Sequence, residues 1–342
     1  MINLAIKSSL RVFLAVLATM STLAALPAEA GISCNGASLW PRISEATRQQ
    51  LIAAAHREPF PAGRYFRIER GGRVSYILGT IHVPPIRQLS IPSFVLGQIG
   101  KSRVVYLEKT LKEFAAFEAR LKNDPSYAIA QGLNGFSRYF TAAEWKVVQD
   151  SVVDAGMKRG YADTFNPWFL YDRIEGIGCS MDYGGFRMSL DERVIKEAAR
   201  QKIPMGGLET PEIVDAYYRA LPLANLVAMT KALPPQNPKY PHGPVGKAQI
   251  DLLASEEIVL ATLFRDWVDQ QYLDANGVRL RAAFREQKIV LARNQAWMPT
   301  LTTAFNTGGA FVAVGAAHLN GRYGLLEMLR RKGFTITRVA LK

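Results

Sequence analysis

Cysteine and histidine are scarce in this chain: two and four residues among 342. Cys34 and Cys179 have neither a CxxC spacing nor a neighbouring histidine, which makes them poor zinc-site material. Long hydrophobic runs are scarce too. The one near the start, "VFLAVLATMSTLAAL", is 15 residues, short of the roughly 20 needed to span a bilayer. No later stretch is long and apolar enough to be a transmembrane segment. The chain has no G-x-S-x-G, HExxH, GxGxxG or Walker A motif, so serine-hydrolase elbows, zincin helices and nucleotide loops of those kinds are excluded. It has no fixed-period repeat either, which excludes a solenoid.

What the N-terminus does contain is the pattern of a leader. Lys7 and Arg11 precede the apolar run, and "PAEA" follows it, with Ala28 and Ala30 in the A-x-A frame. Residues 1–30 are therefore expected to be a signal peptide cleaved after Ala30, and the mature protein to be periplasmic or secreted. "GISC" lacks the Leu of a lipoprotein site. In an oxidising compartment the two cysteines are expected to pair, Cys34 with Cys179. That disulfide would contribute roughly 3–5 kcal/mol in the chain-entropy model.

The net charge is +13, and about +12 once the leader is removed. This favours peripheral contact with anionic surfaces. The basic residues are scattered rather than striped, so nucleic acid is not an expected partner.

Residues 31–60 read as a polar tail and a helix, and 61–342 as a single α/β domain. "RYFRIERGGRVSYILGTIHV" has the alternation of a hairpin turning on Gly71–Gly72. A helical "PSFVLGQIGKS" and a strand "RVVYLE" ending at Glu108 complete one strand–helix–strand unit. Residues 111–175 are helical in pattern, with a Thr141…Glu144 capping box. Another helix leads to a short strand stopping at Glu209. Residues 233–248 are Pro-rich, a lid or a surface excursion. The C-terminus repeats strand–helix–strand: "FVAVGAAHL", "GRYGLLEMLRRKG", "FTITRVAL". The expected fold is a central mixed sheet built from two βαβ-like units, flanked by helices, with a helical mid-region.

Two of the four histidines share a frame. Gly79-Thr80-Ile81-His82 and Gly315-Ala316-Ala317-His318 each end an apolar strand, and the carboxyl edge of strands is where open α/β sheets bind ligands. Glycine allows close approach of another group. Two such histidines with a carboxylate make a plausible divalent-metal set. Glu108 and Glu209 both end strands, where a buried charge needs a partner. A cation is one such partner. Pairing of Glu108 with Lys109, Lys112 or an Arg is another, and Glu209 also suits the start of the helix behind it.

These stretches, "LGTIHV", the strand-end "LE", "GLET", "RNQAW" and "VAVGAAHLNGRYGLLEMLRRKGF", together resemble the TraB/GumN family. That family includes the TIKI-type metalloproteases and is distantly similar to erythromycin esterases and ChaN-like haem-binding proteins. The resemblance covers roughly residues 60–342. It implies a metal-dependent hydrolase, peptidase-like, acting on a peptide or other amide or ester. His82, Glu108 and His318 are the implied ligands of a divalent ion (Mn, Co or Zn, the first two favoured). Glu108, Glu209, Arg293 and Asn294 are the implied catalytic residues. Arg87 is the expected contact to a substrate carboxylate. Pro84–Pro85 stands where relatives often carry Gly-Asp. The other readings are a non-enzymatic envelope protein binding peptide, haem or glycan, and an accessory protein of polysaccharide assembly.

Overall fold

A computed structural model describes residues 36–81, 90–175 and 190–341. Residues 1–30, Cys34, His82, Arg87 and Cys179 lie outside the described residues, and with them the expected leader, the expected disulfide, the first histidine and the expected Arg87 contact.

Six strands form one mixed sheet: β1 (Tyr65–Arg70), β2 (Arg73–Thr80), β3 (Val104–Leu107), β4 (Met205–Gly207), β5 (Ala310–Gly315) and β6 (Thr335–Arg338). Their spatial order is β4-β3-β5-β2-β1-β6. The hairpin forms as its sequence demands. Gly71 and Gly72 take φ of 56° and 75°, the left-handed values a two-residue hairpin turn needs. β1 is antiparallel to both neighbours, while β4, β3, β5 and β2 run parallel.

The two strand–helix–strand units are present, but neither keeps its strands adjacent. β5 inserts between β2 and β3, and the last strand crosses to pair with β1 at the edge. This interleaving matters for function. It places the two strands that carry the G-x-x-H frames side by side, with Gly79 opposite Val314 and Thr80 opposite Gly315.

Helices cover both faces. α1 (Glu45–His56) precedes the sheet in sequence. α2 (Ser93–Gly100) and α6 (Leu190–Arg200) press Val95, Ile99, Leu190, Val194 and Ala198 onto Leu78, Val105, Phe311 and Ala313. On the opposite face α12 (Arg293–Thr307) and α13 (Leu325–Arg331) pack Trp297, Leu301, Phe305, Leu326 and Leu329 onto Phe66, Ile68, Ile77, Val312 and Val314. β5 is buried along its whole length because its alternate residues serve both layers.

Between the strands, α3 (Leu111–Asn123), α4 (Ala142–Asp154), α5 (Pro167–Glu175), α7 (Pro211–Arg219) and α8 (Leu223–Lys231) bring a second, aromatic-rich core together around Phe136, Trp145, Trp168, Tyr171 and Tyr218. The expected Thr141…Glu144 capping box is formed. The Pro-rich segment departs from expectation. It is neither lid nor excursion past Pro241, because α9 (His242–Ala254) starts inside it and buries Val245 and Ala248. Proline tolerated in the first helical turn explains this. α9 and α10 (Ile258–Tyr272) pack with α1. α11 (Ala275–Phe284) then runs through a π-helical stretch, Arg285–Ala292, directly into α12. Among the described residues no helix is long and apolar enough to cross a membrane.

Candidate functional site

The carboxyl ends of β4, β3, β5 and β2 form one edge, and the chemistry-bearing side chains gather there. Glu108 follows β3 and Glu209 lies two residues past β4. Their backbones continue the strand pairing, Glu209 N–H donating to the Glu108 carbonyl at 3.0 Å, so the two acids leave the sheet side by side. Past β5 the chain makes a short 3₁₀ turn, Ala316–His318. This sets His318 back over the same edge, 4% exposed.

Gly79 is needed for this meeting of strands. A Cβ there would lie 3.0 Å from both the Cα and the Cβ of Ala316, and 3.1 Å from Leu319 Cδ1. One G-x-x-H turn thus rests on the glycine of the other. Gly79→Ala is expected to cost about 1–3 kcal/mol, the range for an added methyl in a packed interior. Urea denaturation checks it, and an unchanged midpoint contradicts the close approach.

Arg293 sits at the centre. Its Nη2 donates to Glu108 Oε2 at 2.5 Å and to Glu209 Oε1 at 2.6 Å. Nε donates to both Glu209 oxygens, at 2.9 and 3.1 Å. Nη1 donates to His318 Nε2 at 2.9 Å and to the Ile289 carbonyl at 3.3 Å. All five N–H groups of the guanidinium are therefore used. Burial works most strongly against its charge. The Glu108 charge and the Glu209 hydrogen bonds outweigh burial and hold its pKa above the usual arginine value.

Glu209 takes two further donors, Lys109 Nζ at 2.9 Å and Trp297 Nε1 at 3.1 Å. The Glu108 partner is thus an arginine, and Lys109 belongs to the other acid. Glu108 Oε1 accepts the Gly315 N–H at 2.7 Å and lies 3.9 Å from His318 Nε2.

Asn294 sets the histidine. It is 0% exposed, and its Nδ2 donates to the His318 and Tyr323 carbonyls at 3.0 and 2.8 Å. Its Oδ1 must then accept, and it faces His318 Nδ1 at 2.8 Å. An arginine only donates, so Nε2 accepts. Both arguments place the single proton on Nδ1. His318 is neutral, with its Nε2 lone pair turned toward Glu108 and Arg293. The Trp297 ring packs 4.5 Å from the imidazole and 4.8 Å from the guanidinium carbon.

The profile of the TraB/PrgY/gumN family matches residues 65–338. The chain belongs to that family. The match begins with the first residue of β1 and ends with the last of β6, so the TraB/PrgY/gumN unit is the sheet and everything strung between its strands. No curated protein matches the chain.

Of the residues singled out in the sequence, the structure brings together Glu108, Glu209, Arg293, Asn294 and His318. Trp297 joins them without having been assigned a role, and Lys109, expected as a partner of Glu108, joins them as a partner of Glu209. Trp297 had a signal, because it lies one helical turn from Arg293 and Asn294 in "RNQAW". Among the described residues no three His, Cys, Asp or Glu groups are placed to hold a metal ion. The donor chemistry of the pair that is described does suit one. A neutral imidazole with Nδ1–H tied to an amide is the form in which histidine ligates, and here its Nε2 accepts from Arg293 Nη1, a bond it would have to give up to hold an ion. Two metal–ligand bonds of about 2.1 Å put their ligand atoms about 3.4 Å apart at a tetrahedral angle, so Nε2 and Glu108 Oε1, 3.9 Å apart, would have to close by about half an ångström to share an ion.

Proposed function

We propose that this TraB/PrgY/gumN protein is an exported, metal-dependent hydrolase, peptidase-like in its chemistry, with its centre at the carboxyl edge of β3, β5 and β2. The observation that carries the reading is the Asn294-fixed tautomer of His318, which presents Nε2 toward Glu108 where the first G-x-x-H run also leaves the sheet. His318 and Glu108, with His82 from the first run, are the residues proposed to hold a divalent ion (Mn, Co or Zn), which when bound lowers the pKa of water and polarises a carbonyl.

The remaining roles follow from hydrogen-bond capacity. Glu209 is saturated by Arg293, Lys109 and Trp297, so it anchors the guanidinium rather than moving protons. Glu108 is the less buried acid and faces His318, which suits it to accept a proton from an attacking water. Arg293 has no donor to spare for a substrate oxygen unless it releases a partner. Its contacts through Nη1 are to neutral groups, Ile289 and His318, so Nη1 is the arm that an amide or ester oxygen would capture. The Nε2 lone pair cannot serve both an ion and Nη1, so Nη1 would leave Nε2 if His318 held an ion, with Glu209 still holding Nε and Nη2.

The test is metal content and turnover together. Purified protein is expected to retain about one divalent ion per chain, and the His82→Ala/His318→Ala double variant almost none. Equal, near-zero metal in both rules the site out. A panel of quenched peptides and esters with added Mn²⁺ or Co²⁺ is expected to show turnover that a chelator abolishes. A Soret shift on haem titration, without turnover of any substrate, would instead favour the envelope-binding reading.

A further inference from the structure

The basic residues are scattered along the sequence, and the fold gathers many of them at the sheet edge opposite the candidate site. At that edge β1 ends, and β2, β3, β4, β5 and β6 begin. Four flanking helices end there too, each a short turn before its strand: α2 at Gly100, α6 at Arg200, α12 at Thr307 and α13 at Arg331. The segments that make this edge are 67–73, 101–103, 197–204, 306–309 and 327–335. They hold ten Lys or Arg against three Glu, a net +7 of the chain's +13.

Each Glu has its own arginine. Glu69 pairs with Arg67, Glu197 with Arg200 at 2.7 Å, and Glu327 with Arg330 and Arg331, both at 2.7 Å. Arg70, Arg73, Lys101, Arg103, Lys202 and Lys332 are exposed and have no carboxylate partner among the described residues. They come from five of the six strand ends, and the turn before β5, with Gly308 and Gly309, adds none. Local roles explain part of this. Lys101 and Lys332 cap helix C-termini, where a cation gains from the helix dipole. Arg73 donates to the Asn306 carbonyl in the last turn of α12, and Arg70 lies over the Phe334 ring, 5.2 Å from its centroid. None of these contacts removes a charge. Six like charges on one face repel one another, a cost that an anionic partner reverses.

The layout indicates the shape of that partner. Adjacent strands lie about 4.8 Å apart, so the row from β4 to β6 runs about 24 Å. The helix ends widen it on both sides, Lys101 and Lys202 with α2 and α6, Lys332 with α13. A charged plane matches a layer of headgroups, whereas a strand-like polymer follows one line. None of the exposed large apolar side chains among the described residues lies in these segments, so nothing there is built to insert.

We propose that this face docks the protein on a membrane surface rich in anionic lipid headgroups, held by charge alone, with the carboxyl edge and its Glu108–Arg293–His318 cluster turned away from the bilayer. The proposal stands whether or not that cluster is a hydrolase centre. Each Lys or Arg near an anionic surface is worth about fivefold in affinity.

Cosedimentation with vesicles of phosphatidylcholine, alone and mixed with phosphatidylglycerol, is the test. The unaltered protein is expected to bind the mixed vesicles only, and to be released as salt rises from about 0.05 to 0.5 M. The variant Lys101→Gln/Arg103→Gln/Lys332→Gln is expected to bind about 100-fold more weakly. Lys122→Gln/Lys158→Gln/Lys239→Gln removes the same charge from exposed positions outside this edge, and is expected to lose at most about fivefold. Equal losses in the two triple variants, or none in the first, overturn the proposal. So does failure of the unaltered protein to bind the mixed vesicles, or tighter capture by duplex DNA or alginate at the same salt. Should the first triple variant fail to fold, Lys332→Gln alone decides, with a loss of about fivefold expected and unchanged binding contradicting the proposal.

Discussion

Arg293→Ala is expected to lower the stability of the metal-free protein by about 3–5 kcal/mol, the range for removing one partner of a buried ion pair. The reason lies in what stays behind. Glu108 and Glu209 leave the sheet side by side, and Arg293 is the group that binds both. Without it two carboxylates face each other, Glu209 keeps only Lys109 and Trp297, and His318 Nε2 loses its donor. Arg293→Lys is expected to recover only part of the loss. One ammonium keeps the charge but lacks the fork that reaches two acids and an imidazole at once. Guanidinium denaturation at pH 7 measures both, and a loss below about 1 kcal/mol in Arg293→Ala contradicts the arrangement.

Asn294→Asp changes the volume little and is expected to cost about 3 kcal/mol or more at pH 7. The amide nitrogen that donates to the His318 and Tyr323 carbonyls becomes an oxygen facing both of them. An ionised carboxylate there meets two acceptors in a fully buried place. The folded state therefore holds its proton, and the pKa of the new acid rises above its unfolded value of about 3.9. The sign of the pH dependence follows. Below the unfolded pKa the acid is protonated in both states, and the penalty is smallest. As pH rises the unfolded chain ionises first, so the variant loses stability relative to the unaltered protein until the folded pKa is passed. A stability difference that is flat between pH 3 and 7 contradicts the assignment of the Asn294 amide, and with it the His318 tautomer.

Local features were the ones legible in the sequence. The hairpin follows from alternation around two glycines, the capping box from Thr141 and Glu144, and the G-x-x-H runs from four histidines among 342 residues. Each is encoded within a few neighbours. Strand order was not legible, because the insertion of β5 between β2 and β3 depends on pairing across more than two hundred residues. The same distance hid the partner of Glu108. Lys109 is adjacent in sequence, yet Arg293, 185 positions away, holds it, and Lys109 turns to Glu209. Nor does anything in "REQKIVLA" mark a π-helix, since those residues suit an α-helix equally well. The contact of Asp191 was hidden for a related reason: in sequence it reads as a favourable first-turn acid, and only the fold shows that it accepts a hydrogen bond from Thr80 on β2. What the resemblance implied, Arg293 and Asn294 as a pair, the structure divides into two jobs, one binding the acids and the other holding the imidazole.

The central claim is that His318 Nε2 and Glu108, beside the first G-x-x-H turn, form a cation site. Anomalous diffraction at the manganese edge, from crystals grown with Mn²⁺, tests it most directly. The account predicts a peak about 2.0–2.3 Å from His318 Nε2, next to Glu108, with the His82 ring on its other side and Arg293 Nη1 moved off Nε2. A map with no peak there, with Nη1 still on Nε2 and the His82 ring turned into the packed interior, contradicts it.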